Sequence, residues 1–313
     1  AIQEDEVLVK NLWMSVDPYM RGRMIDRKSY VPPFGVGKTL EGGAIGVVIE
    51  SNSPDFKKGD YVNSNLGWRE YFSSKANSLS KVNPDIGPLQ AYLGTLGMPG
   101  MTAYVGLLRI GELKEGENVL VSAAAGAVGT VACQIAKAKG CKVYGTAGSD
   151  EKCHFLENEL GIDKAINYKT TDYLTKSIHG ACSNGVDVYF ENVGGKVFEA
   201  VLPLLNSFAR IPLCGLISRY SHVGEFPGPN LLPTLTRSIL TNRLKIQGYI
   251  ITERWNRFPE FEKDVSAWID GGQLKYKEDF VDGIEQAPEA FMGLLKGKNF
   301  GKLIVRTSED PTL

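Results

Sequence analysis

Surplus charge of one sign, paired cysteines and long apolar runs are all missing from this 313-residue chain. Its 35 basic and 36 acidic residues leave a net charge of −1. That balance gives no basic footprint for a phosphate backbone, so nucleic acid is not expected as a partner. No apolar run approaches the roughly 20 residues needed to cross a bilayer, and no cleavable signal pattern opens the chain. No membrane partner is expected, and the location is read as cytoplasmic. The chain begins at Ala1 with IQEDEVLVKN, which reads like mid-protein sequence, so an N-terminal piece is expected to precede it. The five cysteines, Cys133, Cys141, Cys153, Cys182 and Cys214, are odd in number and form no C-x-x-C pair. This argues against a disulfide framework and for a reducing compartment. Only His154, His179 and His222 represent histidine. None is spaced with Cys or Glu as a ligand set, so no metal is expected. Internal repeats and low-complexity segments are also absent.

What the chain does have is Val119–Gly129, VLVSAAAGAVG. An apolar, β-branched run stops at small residues, and a glycine-spaced turn opens an apolar helix. The spacing is Ala124-x-Gly126-x-x-Gly129, a dinucleotide fingerprint with alanine in the first glycine position. Small residues allow the tight turn, Gly126 lets the backbone approach a pyrophosphate, and Gly129 lets helix pack on strand. The helix N-terminus adds N–H groups and a partial positive charge. A purely structural turn is the bland alternative. Context weighs against it: Val119–Val121 reads as a buried parallel strand, and Val128, Val131 and Ile135 recur at helical spacing before Lys137, Lys139 and Gly140.

The end of the next strand, Lys142–Thr146, separates cofactors. NAD sites place an acid there, about 20 residues on, for the ribose 2′-OH. Here Thr146, Ala147, Gly148 and Ser149 carry none before Asp150, and Lys152 follows. A missing acid with a nearby cation suits the 2′-phosphate of NADP, although a solvated surface lysine is the bland reading of Lys152.

Two domains are expected at this length. Residues from Val7 to about Leu96 alternate briefly between apolar and polar and are broken by Gly and Pro, the pattern of a small, twisted, mostly antiparallel β-domain. From Ala103 strands and helices alternate. The strands are Val119–Ser122, Lys142–Thr146, Ala165–Tyr168, Val186–Glu191, Ala209–Cys214 and Leu244–Ile251. The helices are Glu151–Leu160, Tyr173–Cys182, Val197–Leu205, Leu231–Thr241 and Phe258–Ile269. This α/β rhythm predicts a doubly wound parallel sheet of Rossmann type. A final helix, Ala287–Leu295, and strand, Lys302–Arg306, are expected to return to the first domain.

Six stretches together resemble one family: SVDPYMRGRM (Ser15–Met24), GMPGMTAY (Gly97–Tyr104), AAAGAVG (Ala123–Gly129), FENVGGKVF (Phe190–Phe198), ARIPLCGLIS (Ala209–Ser218) and LLKGKNFGKLIV (Leu294–Val305). The chain resembles the zinc-independent medium-chain dehydrogenase/reductase superfamily. Within it, the resemblance is to the branch of leukotriene B4 dehydrogenase/prostaglandin reductase, plant alkenal double-bond reductases and, nearest, bacterial curcumin/dihydrocurcumin reductases. It implies a GroES-like catalytic domain over 1–96 and 272–313, an NADP-binding Rossmann domain over 97–271, and a homodimer joined through the last strand of the nucleotide sheet. Motif by motif, it implies that Gly126, Ala127, Val128 and Gly129 cradle the pyrophosphate. Lys152, Gly148, Ser149 and Tyr168 would face the 2′-phosphate, and Asn192 the adenosine side. Cys214, Gly215, Leu216, Ile217, Ser218 and Tyr220, with Tyr249, Ile250 and Ile251, would line the nicotinamide end, and Asn299 would close over the cofactor from the other domain. Asn192 as a turn cap, Tyr249–Ile251 as strand core and Asn299 as a loop tip are the bland counterparts. Neither Ser15-Val16-Asp17 nor Leu40-Glu41-Gly42-Gly43 supplies the zinc ligands of the metal-dependent relatives.

The implied activity is NADPH-dependent reduction of the α,β double bond of an enone or enal, a small conjugated carbonyl substrate. Hydrogen-bond donors must then stabilise the enolate. Where relatives carry a tyrosine after the strand reading GYIITERWNRF, this chain has Trp255, whose indole can donate but not act as an acid. Tyr30 is the expected catalytic hydroxyl, with Tyr19 and Tyr220 behind it, and Tyr19, Tyr30, Met98 and Trp255 are expected to line the substrate pocket. A quinone reductase and a non-catalytic NADPH-binding protein remain open as alternatives.

Overall fold

The computed structural model describes residues 2–222, 224 and 230–313. The chain folds into two compact units, Ala1–Met98 with Glu278–Leu313, and Pro99–Lys277. In chain order the first unit contributes β1 (Glu6–Ser15), α1 (Met20–Arg23), β2 (Ala44–Ser51), β3 (Tyr61–Ser64), β4 (Tyr71–Lys75) and β5 (Ser80–Lys81). After α2 (Met98–Val105) come β6 (Asn118–Val121), α3 (Ala127–Ala138), β7 (Lys142–Ala147), α4 (Asp150–Asn158), β8 (Lys164–Asn167) and α5 (Leu174–Ala181). The second unit continues with β9 (Val186–Phe190), α6 (Gly195–Val201), β10 (Leu205–Leu213), α7 (Leu232–Asn242), β11 (Lys245–Gly248) and α8 (Phe258–Asp270). The chain then rejoins the first unit as β12 (Glu278–Asp282), α9 (Ala287–Leu295) and β13 (Lys302–Arg306). No described helix is long and apolar enough to cross a membrane.

The first unit is a seven-stranded sheet ordered β12-β13-β1-β2-β3-β5, with β4 also on β1. Its pairs are antiparallel except β12 with β13, a β–α–β return through α9. Alternate β1 residues Val7 and Val9 pack with Val48, Val62 and Phe72. Met14 faces a separate cluster formed with Met20, Phe291, Leu294, Leu303 and Val305. The second strand of the return, β13, pairs antiparallel with β1, a partner that the tail motif does not specify. Its partner β12 escapes the sequence pattern because EDFVD is acidic and only half-buried.

The second unit is a six-stranded parallel sheet ordered β11-β10-β9-β6-β7-β8. From β6 the chain winds to one side through β7 and β8, then crosses to β9, β10 and β11. The order therefore reverses beside β6, and such sheets bind ligands outside the strand C-termini at that reversal. Every residue of β6 is buried, with Val119, Leu120 and Val121 wholly inside, because a central parallel strand is covered on both faces.

Three expected elements shift by three or more residues at an end. The helix expected over Val197–Leu205 ends at Val201, and a short 3-10 turn over Leu202–Leu204, with Pro203 lacking an N–H, leads directly into β10. β10 thus starts at Leu205 rather than Ala209. It is broken by a register shift near Phe208, which sits at φ +66°. The strand expected over Leu244–Ile251 is only Lys245–Gly248, and a 3-10 turn starts at Ile251. That shortening frees Tyr249 and Ile250 from the ladder.

Candidate functional site

The fingerprint turn sits between the end of β6 and α3. Ala123 takes a left-handed conformation (φ +48°), and Gly126 caps the helix with extended backbone. A Cβ on Gly129 would strike the carbonyl oxygen of Ala123 and come within 2.7 Å of the Ala124 Cα, so only glycine lets α3 press onto the turn. A Cβ on Gly126 would meet only the Ala123 carbonyl oxygen, at 3.2 Å, which leaves the backbone there open to a ligand. The first glycine of the fingerprint is replaced by Ala124, whose methyl is buried. Room for it comes from the neighbouring strand: a Cβ on Gly145 of β7 would lie 2.6 Å from that methyl. No acidic residue occupies the first turn of α3. The open turn, helix N-terminus and lack of local negative charge together fit a pyrophosphate.

β7 ends at Ala147, followed by Gly148 and Ser149, the N-cap of α4. The Ser149 hydroxyl accepts the Lys152 N–H at 3.3 Å, which fixes the first turn carrying Lys152. Asp150, the nearest acid, accepts a hydrogen bond from Asn167 Nδ2 at 2.8 Å. Tyr168 follows β8 and faces Gly148: a Cβ there would lie 3.1 Å from its hydroxyl.

The ends of β6, β9 and β10 are knitted together by Glu191, a wholly buried carboxyl that the sequence pattern does not single out. One of its oxygens, Oε1, accepts from Ser122 Oγ at 2.9 Å, from the Gly194 N–H at 2.9 Å and from the Val193 N–H. Its backbone carbonyl accepts from the N–H groups of Cys214 (2.9 Å) and Gly215 (3.1 Å). Asn192 closes the knot: its N–H donates to Ser122 Oγ at 2.8 Å and its Nδ2 to the Ser122 carbonyl at 2.7 Å. The turn-cap reading of Asn192 therefore gives way to a strand-to-strand brace. Burial raises the Glu191 pKa, opposed by the hydrogen bonds it accepts. An acid directly after the apolar run VYF is the available signal.

Beyond β10 and β11 lies a cleft of about 360 Å³. Of the expected nicotinamide-end residues, Cys214, Gly215, Leu216, Tyr220, Tyr249 and Ile250 line it, joined by Glu253, which no sequence motif marks. Ile217 and Ser218 instead form a short 3-10 turn tied back to the β9 loop, where the Ser218 hydroxyl donates to the Val193 carbonyl at 2.6 Å. Ile251 is buried and begins the next turn. The Tyr249 hydroxyl donates to the Thr102 carbonyl at 2.8 Å, and burial pushes its pKa well up. Burial likewise pushes the Cys214 thiol up to about 12. Neither group is poised to give or take a proton near neutrality. Trp255, in the turn after Glu253, stacks on Phe258 with ring centroids 5.0 Å apart and is not among the lining residues.

The remaining expected residues belong to the first unit. Tyr19 follows β1, and burial is the main cause raising its pKa, with Asp17 adding to it. Tyr30 is 61% exposed in the long connection between α1 and β2. Met98 is half-buried at the start of α2, and Asn299 lies between α9 and β13, donating to the Gly301 carbonyl at 2.8 Å. Ser15 and Asp17 are joined by a hydrogen bond and bound by a lysine. Lys302 Nζ donates to Ser15 Oγ at 2.6 Å, to the Val16 carbonyl at 3.1 Å and to Asp17 Oδ1 at 2.9 Å. Among the described residues no three His, Cys, Asp or Glu side chains gather as a possible metal-ligand set.

Residues 1–82 match a family described as the N-terminal domain of oxidoreductase, and residues 127–267 one described as zinc-binding dehydrogenase. The NADPH-dependent curcumin reductase of Escherichia coli is 46% identical over 308 residues, 98% of this chain and 89% of that protein. The NADP-dependent 2-alkenal reductase of Nicotiana tabacum is 41% identical over 310 residues, covering 98% and 88%. The crystal structure of CurA from Vibrio vulnificus in complex with NADPH superposes with a TM-score of 0.94 at 45% identity, covering 98% of this chain and 91% of that one. The chain belongs to the zinc-independent branch of the medium-chain dehydrogenase/reductase superfamily that contains the curcumin, alkenal and prostaglandin reductases.

Proposed function

We propose that this protein is an oxidoreductase that uses NADPH to reduce the α,β carbon–carbon double bond of conjugated enones and enals. The observation that carries this reading is likeness over 98% of the chain to reductases of curcumin and 2-alkenals. The glycine turn, the acid-free end of β7 and Lys152 support NADPH on chemical grounds. When bound, the cofactor supplies a hydride to the β-carbon of the substrate. The chain's own tasks are then to hold the dinucleotide, to exclude water and to donate hydrogen bonds to the carbonyl oxygen as it gains negative charge.

The cofactor residues proposed are Gly126–Gly129, Gly148, Ser149, Lys152, Tyr168, Asn192, Cys214–Ser218, Tyr220, Tyr249–Ile251 and Asn299. Tyr30 is the proposed hydroxyl donor, with Tyr19, Met98 and Trp255 as pocket walls. Commitment of the Tyr249 hydroxyl to a backbone carbonyl favours a donor elsewhere. The unit holding β1–β5, β12 and β13 is proposed as the catalytic domain of GroES-like type, and that holding β6–β11 as the cofactor domain.

A homodimer joined through β11 is also proposed. β11 is an edge strand whose backbone would otherwise be an association hazard. Nearby α7 has no buried residue and exposes Leu232 and Leu240. Light scattering at micromolar concentration should give twice the monomer mass. A cytoplasmic location is proposed because all five thiols are free.

The activity is tested by NADPH absorbance with an enone, with a quinone and with no acceptor. Loss of absorbance with the enone is expected. Consumption with the quinone alone, or binding without consumption, would overturn the reading. Tyr30→Phe should lower enone turnover at least about fivefold with NADPH affinity retained. Unchanged kinetics would remove Tyr30 from the mechanism.

A further inference from the structure

We infer that Lys169, beyond the end of β8, is a second cation for the 2′-phosphate and a determinant of NADPH over NADH. This rests on the NADPH reading above. Gly148 marks where β7 ends and where a nucleotide ribose would have to pass. A Cβ built on Gly148 would lie 3.2 Å from Lys169 Cε and 3.3 Å from its Nζ, beside the Tyr168 hydroxyl at 3.1 Å. The lysine therefore lies back along β8 toward the mouth of β7 rather than extending into solvent. Two features hold it there. The Lys169 N–H donates to Asn167 Oδ1 at 3.1 Å, which tightens the turn after β8. The ammonium lies 6.0 Å from the centroid of the Tyr168 ring. Asn167, through its Nδ2, also holds Asp150, the acid nearest the end of β7.

Lys169 reaches Gly148 from the end of β8, and Lys152 stands in the first turn of α4, three residues after its N-cap Ser149. A phosphate monoester on the ribose carries close to two negative charges at neutral pH. One lysine leaves about half of that uncompensated, and two lysines match it. The Gly148 surface itself has no side chain, so a phosphate there can approach the Lys169 ammonium, and Lys152 is the second lysine that the adjoining helix turn supplies. A ribose 2′-hydroxyl offers neither lysine a charge and gains nothing from the pair, so the arrangement discriminates rather than merely binds.

The test measures binding without turnover, using adenosine 2′,5′-bisphosphate and, as the probe lacking the 2′-phosphate, 5′-AMP. The native protein should prefer the bisphosphate. Lys169→Ala should weaken bisphosphate binding about tenfold and leave 5′-AMP binding and the melting temperature unchanged. Lys169→Arg should retain most of the preference, and the salt dependence of bisphosphate binding should be shallower in Lys169→Ala than in the native protein. Gly148→Ala, whose methyl would push both Tyr168 and Lys169 aside, should reproduce the alanine loss with the lysine still present. A native preference that survives Lys169→Ala intact overturns this assignment alone. A native protein that binds the two nucleotides equally overturns the NADPH reading and the assignment with it.

Discussion

Asp17 in the first unit and Glu191 in the second are both buried carboxyls just after a strand, and the two are compensated in opposite ways. Asp17, after β1, faces the ammonium of Lys302, and both side chains are almost wholly enclosed. Glu191, after β9, is held by neutral donors instead: its Oε1 takes two backbone N–H groups and a serine hydroxyl. A buried ion pair costs heavily in desolvation and holds only while both partners stay. A carboxyl held by neutral donors can meet burial by keeping its proton, and the raised pKa of Glu191 has that sign.

The contrast breaks most sharply from the Lys302 side. Lys302→Met leaves Asp17 enclosed without its ion-pair partner and should cost about 3–5 kcal/mol of stability in denaturant titrations. Adding Asp17→Leu should recover part of it, and a double variant no better than the single would show that the pair is not the source. Glu191→Ala leaves two N–H groups and a hydroxyl without their acceptor and should cost about 2–4 kcal/mol, with weaker nucleotide binding because the strand ends loosen. A melting temperature equal to the native one would sink the idea of Glu191 as a brace.

Glu278 offers an intermediate case. It is half-buried opposite Lys302 in the β12–β13 pair, and burial raises it from 4.5 to about 7. Because the native carboxyl binds its proton more tightly than the unfolded one, its contribution is complete below about pH 4.5 and is lost as pH rises through 7. Glu278→Gln should therefore match the native protein at pH 4.5 and exceed it by roughly 1–3 kcal/mol at pH 8. A difference that is constant across this range would refute the assignment.

Glu191→Gln should have the smallest effect, within about 1 kcal/mol, since an amide oxygen can accept the same three donors. The same sign applies: its stability relative to the native protein should rise as pH increases from 4.5 through the raised native pKa. A large loss at low pH would mean that the proton on Glu191 is not what balances its burial.

Much of this was legible along the chain. The buried β6 run, the glycine turn, the apolar spacing of α3 and the acid-free end of β7 are local patterns, and local patterns survive in sequence. The α9 and β13 boundaries were legible for the same reason, a helical repeat and then a short apolar run bounded by Gly and Arg. The Glu191 brace was not, because its partners are Ser122, nearly 70 residues earlier, and the N–H groups of its own following loop. Lys302 stands in a recognised motif that does not reveal its ending on Ser15 and Asp17, which only the β1–β13 pairing brings near. β10 and β11 depart from expectation at their ends because a left-handed Phe208 and a strand of four residues carry no periodic signal. Lys169 reads as an ordinary loop lysine because nothing in the linear order places Gly148 beneath it.

Gly145 shows what a one-dimensional fingerprint leaves out. The small residue missing at position 124 is supplied from the adjacent strand, so the space is kept as a volume shared by two strands. A family that trades these residues should do so jointly. Alanine at both positions would wedge the turn after β6 away from β7, while glycine at both would leave a methyl-sized void there. The motif that matters is therefore a cross-strand sum of side-chain volumes, and its record lies in paired substitutions at 124 and 145.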